Sequence, residues 1–195
     1  PFNEDGSLDL ESLARLVSFV GNLGVSGVTV LGVLGESNRM LDKDREALIT
    51  CAVAAAKGRT RVIVGASHPG TQATAGLCQM AADLGADVAM VAPAAEPVPS
   101  EARGFEYFQK VAAATTLLLV AQDHPASTQV HMSVPLLLRL VDEIPAIACI
   151  KAEAPPTPVR IAALKQGMRQ RQVPVLTGLG ALYGYYDLMA GSDGF

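Results

Sequence analysis

Residues 61–92 read RVIVGASHPGTQATAGLCQMAADLGADVAMVA, and this stretch indicates the fold more clearly than any other. A short apolar run (residues 61–66) is followed by a helical pattern (residues 71–84) and a second apolar run (residues 87–92). Both runs are apolar without a polar alternation, which is typical of parallel strands that are buried on both faces. The stretch therefore predicts one β-α-β unit with parallel strands.

The same unit repeats along the chain with a period of about 30 residues, the usual size of a β-α-β unit. Further apolar runs are found at residues 27–32 (GVTVLG), 117–121 (LLLVA), 146–151 (AIACIK) and 173–178 (VPVLTG). Helical patterns are found between the runs, at residues 8–23, 42–57, 100–114, 134–143 and 157–170. No change in composition marks a linker, so residues 1–195 are predicted to form a single domain.

Two architectures are built from this unit, the closed (β/α)8 TIM barrel and the open doubly wound sheet. The chain has no GxGxxG motif after its first strand and no GxxxxGK[ST] motif, so neither nucleotide-binding form of the open sheet is indicated. We therefore favour the α/β class with a (β/α)8 barrel and keep the open sheet as the alternative. A barrel needs about 250 residues. With six predicted strands and a further one at residues 191–195, we expect a barrel that is truncated at both ends.

Composition excludes several classes of protein. Of the 195 residues, 50% are hydrophobic and 17% charged, and the formal net charge is −4 with the basic residues scattered. A nucleic-acid-binding surface would need a basic stripe, and a membrane span would need roughly 18–20 consecutive apolar residues; neither is present in the sequence. The three cysteines are far apart in apolar runs, which predicts buried, reduced thiols in a cytoplasmic protein. No metal-ligand spacing such as HExxH is present, so no metal site is predicted.

Lys151 is the strongest candidate for a catalytic residue. It ends the apolar run of residues 146–151, so its amine is expected at the carboxyl end of a strand, where barrel enzymes carry their catalytic groups. Burial of an amine disfavours its charged form and leaves a nucleophile that can form an imine with a 2-oxo acid. The alternative is a structural lysine that pairs with Glu153, and one lysine by itself favours that alternative.

Other strand ends supply weaker candidates. Glu36 follows a glycine-flanked loop whose backbone amides could face an anion, although a helix-capping acid in a turn explains it as well. Asp123 and His124 could form an acid/base pair after the fourth strand, or His124 could merely close the loop before a proline. Further candidates at strand ends are Ser67-His68, residues 93–96, ending at Glu96, and Gly178.

Taken in order, the motifs resemble the dihydrodipicolinate synthase/N-acetylneuraminate lyase family of class I, Schiff-base aldolases, over essentially the whole chain. The segments that carry the resemblance are residues 1–6, 32–36 (GVLGE), 64–66, 85–87 leading to Pro93, 123–125, 150–151 and 176–178. The resemblance implies a barrel that lacks its first strand, last helix and C-terminal helices. It implies that Lys151 is the catalytic residue, which forms a covalent imine with the substrate, and that no cofactor is needed.

The resemblance also assigns a substrate-binding set. Its members are Val33, Leu34, Gly35 and Glu36 around the substrate carboxylate, and Gln122, Asp123, His124 and Gly178 on other loops. It further implies a small-molecule 2-oxo acid as partner and a homo-oligomer, a dimer or tetramer.

Several positions depart from the family pattern. Two threonines of the synthase loop are replaced by Val33 and Leu34, which leaves backbone amides to hold a carboxylate. The first relay tyrosine is replaced by Gln122, whose amide cannot transfer protons as a phenol does. The second tyrosine is replaced by Ala94-Ala95, and the arginine for a second carboxylate by Ser127.

These departures leave two functional hypotheses. The first is a Schiff-base lyase, an aldolase or dehydratase, acting on pyruvate or another 2-oxo acid. The second is a non-catalytic homologue that binds 2-oxo acids and has lost the tyrosine proton relay.

Overall fold

A computed structural model describes residues 1–95, 97 and 100–195. Its strands are β1 (Gly27–Val30), β2 (Arg61–Gly65), β3 (Val88–Val91), β4 (Leu118–Asp123), β5 (Ile147–Ala152) and β6 (Val175–Thr177). Its α-helices are α1 (Leu10–Asn22), α2 (Asp42–Ala56), α3 (Thr71–Asp83), α4 (Glu101–Ala113), α5 (Pro125–Thr128), α6 (Val134–Glu143), α7 (Thr157–Gly167) and α8 (Gly184–Met189). All six predicted strands and all six predicted helices are confirmed, with ends that shift by a few residues.

The strands form one parallel sheet in the order β1-β2-β3-β4-β5-β6. Each of the strands β1 to β5 is followed by a helical crossover to its immediate neighbour. Such crossovers are right-handed, which carries successive helices to the same face. A doubly wound sheet reverses its strand order and carries helices on both faces. The sequential order is therefore that of a barrel wall, and it disfavours the open-sheet alternative.

The two faces of the sheet have different surroundings. The outer face and the helices share the main hydrophobic core, which includes Val64, Leu119, Ile150 and residues of six helices. The inner face carries a smaller cluster centred on Met90, Val120 and Cys149. Both faces bury apolar side chains, as the unbroken apolar runs predicted.

The strand order predicted for a barrel is confirmed, but the closure of the sheet into a barrel is not. In the described residues the curled sheet has six strands and ends at β1 and β6, which are not paired with each other. The further strand predicted at residues 191–195 is reduced to one parallel bridge, between Leu176 and Gly194. Of the candidate loop at residues 93–96, Glu96 lies outside the described residues.

Candidate active site at the carboxyl end of the sheet

The side chain of Lys151 lies on the inner face near the end of β5, beside the carboxylate of Glu153. Lys151 Nζ is 3.5 Å from Glu153 Oε1; the Lys151 side chain is 25% exposed and that of Glu153 only 5%. Successive side chains of a strand alternate between faces, so Cys149, Lys151 and Glu153 follow one another on the inner face. The amine can therefore be reached from solvent, whereas the carboxylate is screened from it.

Glu153 is held by donors from both neighbouring strands. Gln122 on β4 donates from Nε2 to Glu153 Oε2 at 2.7 Å. The backbone N–H of Leu179, just after β6, donates to Oε1 at 3.2 Å. Gln122 is the register partner of Lys151 in the β4–β5 pair, which places both side chains on the same face. Three adjacent strands thus supply one connected group: Gln122, Lys151, Glu153 and the turn at Gly178-Leu179.

Gly178 is needed at its position because Glu153 occupies the space beside it. A Cβ built on Gly178 would lie 1.9 Å from Glu153 Oε1 and 2.4 Å from Cδ. No real Cβ makes such a contact, so any side chain here would displace the carboxylate. The structure therefore brings Gly178 beside Glu153, where the absence of a side chain accommodates the carboxylate, and its predicted contact with the substrate stays a prediction.

Asp123 lies on the opposite face of the sheet from Lys151. Its side chain is 0% exposed and pairs with Arg160 of α7, with 2.6 Å between Arg160 Nη2 and Asp123 Oδ2. Burial raises the pKa of the Asp123 carboxyl against the opposing effect of Arg160. The sequence analysis placed Gln122 and Asp123 together at one site, but neighbouring residues of a strand face opposite ways, and β4 extends through both. The structure does not bring the Asp123 side chain to Lys151.

His124 directly precedes the short helix α5 and forms a local contact. Its Nδ1 is 2.6 Å from Ser127 Oγ, and its backbone oxygen accepts from the hydroxyl groups of Ser127 and Thr128. The predicted acid/base pair of His124 with Asp123 is not formed in the described structure, because Asp123 turns towards α7.

The loop after β1 presents its side chains to solvent. Leu34 is 94% exposed and Val33 47%. In the described part of the chain, Lys151 has its ion pair with Glu153 and no hydrogen bond to residues 33–36. The loop therefore does not join the Lys151 group directly.

Two of the loop amides are already used within the turn. The Gly35 N–H donates to Gly32 O at 3.0 Å, and the Glu36 N–H donates to Val33 O at 3.2 Å. The Glu36 carboxylate pairs with Arg39 at 3.1 Å. Of the amides that were predicted to hold a carboxylate, those of Val33 and Leu34 donate no backbone hydrogen bond within the described residues.

Glu153 is the group beside Lys151 that the sequence analysis did not include among the candidates, since it entered only as the ion-pair partner of a structural lysine. A signal was available: a residue two positions after Lys151 faces the same way along an extended chain. The predicted ion pair is confirmed, and the same contact supplies what a lysine nucleophile lacks by itself, a screened group that can accept a proton.

Comparison with known proteins places the chain in a family. The model of the dihydrodipicolinate synthetase family matches residues 1–186. The 4-hydroxy-tetrahydrodipicolinate synthase of Xanthomonas campestris pv. campestris is 34% identical over 194 residues, which is 100% of this chain and 63% of that protein. The L-2-keto-3-deoxyarabonate dehydratase of Azospirillum brasilense is 35% identical over 158 residues, 79% of this chain and 50% of that protein.

A solved structure supports the same relationship. The chloride-inhibited dihydrodipicolinate synthase from Acinetobacter baumannii, complexed with pyruvate, superposes with a TM-score of 0.91 at 27% identity, over 100% of this chain and 65% of that one. The chain thus spans less than two thirds of the length of these relatives. Among the helices of the described residues, none has the length and apolar character that a membrane crossing requires.

Proposed function

This chain belongs to the dihydrodipicolinate synthetase family, and we propose that it forms a Schiff base between Lys151 and pyruvate or another 2-oxo acid. Its curated relatives include synthases and a dehydratase, which are lyases. The observation that carries the proposal is the 3.5 Å separation of Lys151 Nζ from the buried Glu153 carboxylate. The pyruvate bound to the Acinetobacter relative supports the choice of substrate class.

The first step replaces the carbonyl of the substrate with an imine. The neutral amine of Lys151 attacks C2 of the 2-oxo acid and forms the C–N bond. The former carbonyl oxygen takes up one proton from the attacking nitrogen and one from solvent and leaves as water, and a protonated C=N bond remains. The proton that the ammonium releases before the attack goes to solvent, which reaches the 25% exposed side chain of Lys151, so the Glu153 carboxylate remains available for the second step. No metal or cofactor enters this step, because the iminium itself draws electrons from the neighbouring carbon.

The second step is proton transfer at C3. The C3–H proton passes to the Glu153 carboxylate, and the electron pair of that bond moves towards the iminium nitrogen to give a neutral enamine. Glu153 thereby takes over the proton transfer that the family resemblance assigned to a tyrosine at the position of Gln122. Gln122 holds the carboxylate in place and does not itself titrate.

The loop of Val33, Leu34, Gly35 and Glu36 is the proposed contact for the substrate carboxylate. The N–H groups of Val33 and Leu34 would donate to it, since those of Gly35 and Glu36 are engaged in the turn. The loop follows the carboxyl end of β1, and parallel strands bring their carboxyl ends to the same edge of the sheet, where Lys151 also lies.

Dehydration of a 2-oxo-3-deoxy sugar acid is a second candidate reaction, favoured by the single screened carboxylate beside the amine. After accepting the C3 proton, Glu153 can return it to the C4 hydroxyl, which leaves as water while the enamine electrons form the C3=C4 bond and restore the iminium. Hydrolysis of the iminium then releases the product and the Lys151 amine. The Azospirillum relative, named as such a dehydratase, supports this choice.

Borohydride trapping tests the proposal. The full-length protein is incubated with pyruvate or with a 2-oxo-3-deoxy pentonate, reduced, digested and analysed by mass spectrometry. We expect a stable adduct on the peptide that contains Lys151 and none in Lys151→Arg, since a guanidinium stays charged and forms no imine. Lys165→Arg, which alters an exposed ion pair on α7, is the matched control and should form the adduct.

Two results of this experiment would overturn the proposal. An adduct that persists in Lys151→Arg would place the imine elsewhere. A folded protein that binds both ligands without any adduct would indicate the non-catalytic 2-oxo acid-binding homologue instead.

Two further properties are proposed on the family relationship alone: assembly into a homo-oligomer, a dimer or tetramer, and a cytoplasmic location. Sedimentation of the full-length protein tests the first, and cell fractionation tests the second.

A further inference from the structure

From the geometry behind the sheet we infer that the buried ion pair of Asp123 and Arg160 is a positioning device for Glu153, and this inference rests on the proposed function. Asp123 touches Glu153 through its backbone: the Glu153 N–H donates to Asp123 O at 2.9 Å. The preceding residue, Gln122, holds the Glu153 carboxylate. Two consecutive residues of β4 therefore fix both the main chain and the side chain of Glu153.

Arg160 fixes this end of β4 against the helix layer. Its Nη2 donates to Asp123 Oδ2 and to the backbone oxygen of Met132, both at 2.6 Å. One guanidinium thus joins α7, the end of β4 and the segment that precedes α6. A shift of Asp123 on the outer face would move Glu153 on the inner face, because the two residues share the backbone hydrogen bond.

The energetics of the pair do not explain its presence. A buried ion pair recovers little more than the cost of desolvating its charges, and apolar replacement is often neutral for stability. In the described structure Asp123 Oδ1 and Arg160 Nε are buried without a hydrogen-bond partner, so this pair is incompletely satisfied. Apolar residues could fill the space, but they could not hold β4 at one defined position by directed bonds.

The test separates imine formation from proton transfer. Each protein is given saturating pyruvate; the adduct is measured by borohydride trapping, and the exchange of pyruvate methyl protons with solvent deuterium is measured by NMR. The variants are Asp123→Asn, Arg160→Met and Arg160→Lys. The matched control is Lys165→Met, which removes another ion pair of α7, with Asp193, that has no contact with Glu153.

We expect Asp123→Asn and Arg160→Met to form the adduct to the same extent as the unaltered protein. Both should exchange methyl protons ~10-fold to ~100-fold more slowly, because a small misplacement of a catalytic group has effects of this size. Arg160→Lys keeps the positive charge and should lie between. Lys165→Met should exchange at the unaltered rate. A merely structural pair would lower the melting temperature and leave the ratio of exchange to adduct unchanged.

The result that overturns the inference is an exchange rate in Asp123→Asn and Arg160→Met equal to that of the unaltered protein. Should both variants fail to fold, Arg160→Lys decides: an unaltered exchange rate there refutes the role, and a slower rate with full adduct supports it. Failure of the proposed function has a different signature, since the unaltered protein would then give neither adduct nor exchange.

Discussion

The carboxylate of Glu153 occupies the space that a side chain at Gly178 would fill. A Cβ built on Gly178 would lie only 1.9 Å from Glu153 Oε1. The contact joins β5 to the turn after β6 and leaves Oε1 facing the amine of Lys151. A glycine here is therefore a condition for the carboxylate to lie beside the amine.

Replacing Gly178 by alanine should move the Glu153 carboxylate away from Lys151. We expect adduct formation with pyruvate to persist and methyl-proton exchange to fall by ~100-fold, since a misplacement of ~1 Å has effects of that size. NMR exchange together with borohydride trapping measures both quantities. Gly76→Ala is the control, because a Cβ at Gly76 meets nothing within 4 Å; a similar loss of exchange in the control would contradict the prediction.

Replacing Glu153 by glutamine should remove the proton acceptor while keeping the side chain in place. Gln122 can still donate to the new amide oxygen, so the fold should be retained. Exchange should fall by ~10² to ~10⁴, the usual contribution of a general base, with the Lys151 adduct still formed. Glu143→Gln, an exposed residue paired with Arg139 on α6, should behave as the unaltered protein. Full exchange by Glu153→Gln would show that another group accepts the proton.

Arg171 should contribute strongly to stability, because one guanidinium satisfies four backbone carbonyls. Its Nη1 donates to the oxygens of Val141 and Ile144, and its Nη2 to those of Pro145 and Ile147, at distances of 2.6 to 3.1 Å. A lysine cannot span these acceptors, so Arg171→Lys should lower the free energy of unfolding by about 1–3 kcal/mol in urea titrations. The exposed neighbour Arg169, changed to lysine, is the control; equal effects at both positions would refute the bridging role.

Stability should fall as the pH rises above 9. Burial raises the pKa of the Cys78 thiol to about 11 and that of Cys149 to about 12, from an ordinary value of 9.0. Between pH 9.0 and about 11 the folded state therefore keeps protons that the unfolded chain releases, and the slope of the free energy of unfolding against pH is negative.

Urea titrations across this window check the prediction. Cys149→Ala should reduce the magnitude of the slope by up to ~1.4 kcal/mol per pH unit, the value for one proton. Val120→Ala, in the same inner-face cluster, should lower stability without changing the slope. An unchanged slope in Cys149→Ala would contradict the assignment.

The sequence by itself determined the elements, their parallel direction and the residue with nucleophilic potential. Apolar runs such as residues 61–66 and 87–92 have one physical interpretation, burial on both faces, and they recur with a period that only a helical crossover satisfies. Lys151 could be predicted at a strand end because its apolar run stops there. These conclusions depend on interactions between residues that are close along the chain.

Only the tertiary structure decided which side chains surround the amine. The faces on which Gln122 and Asp123 lie depended on how far β4 extends, because the apolar run ended at Ala121, before either residue. The separation of Glu153 from Gly178 depends on the register of β5 against β6, which no local pattern contains. Because side chains alternate along a strand, a shift of one residue in register moves a side chain to the other face of the sheet. The site is therefore decided by the packed sheet, whereas the fold class follows from the pattern of apolar runs and helices along the sequence.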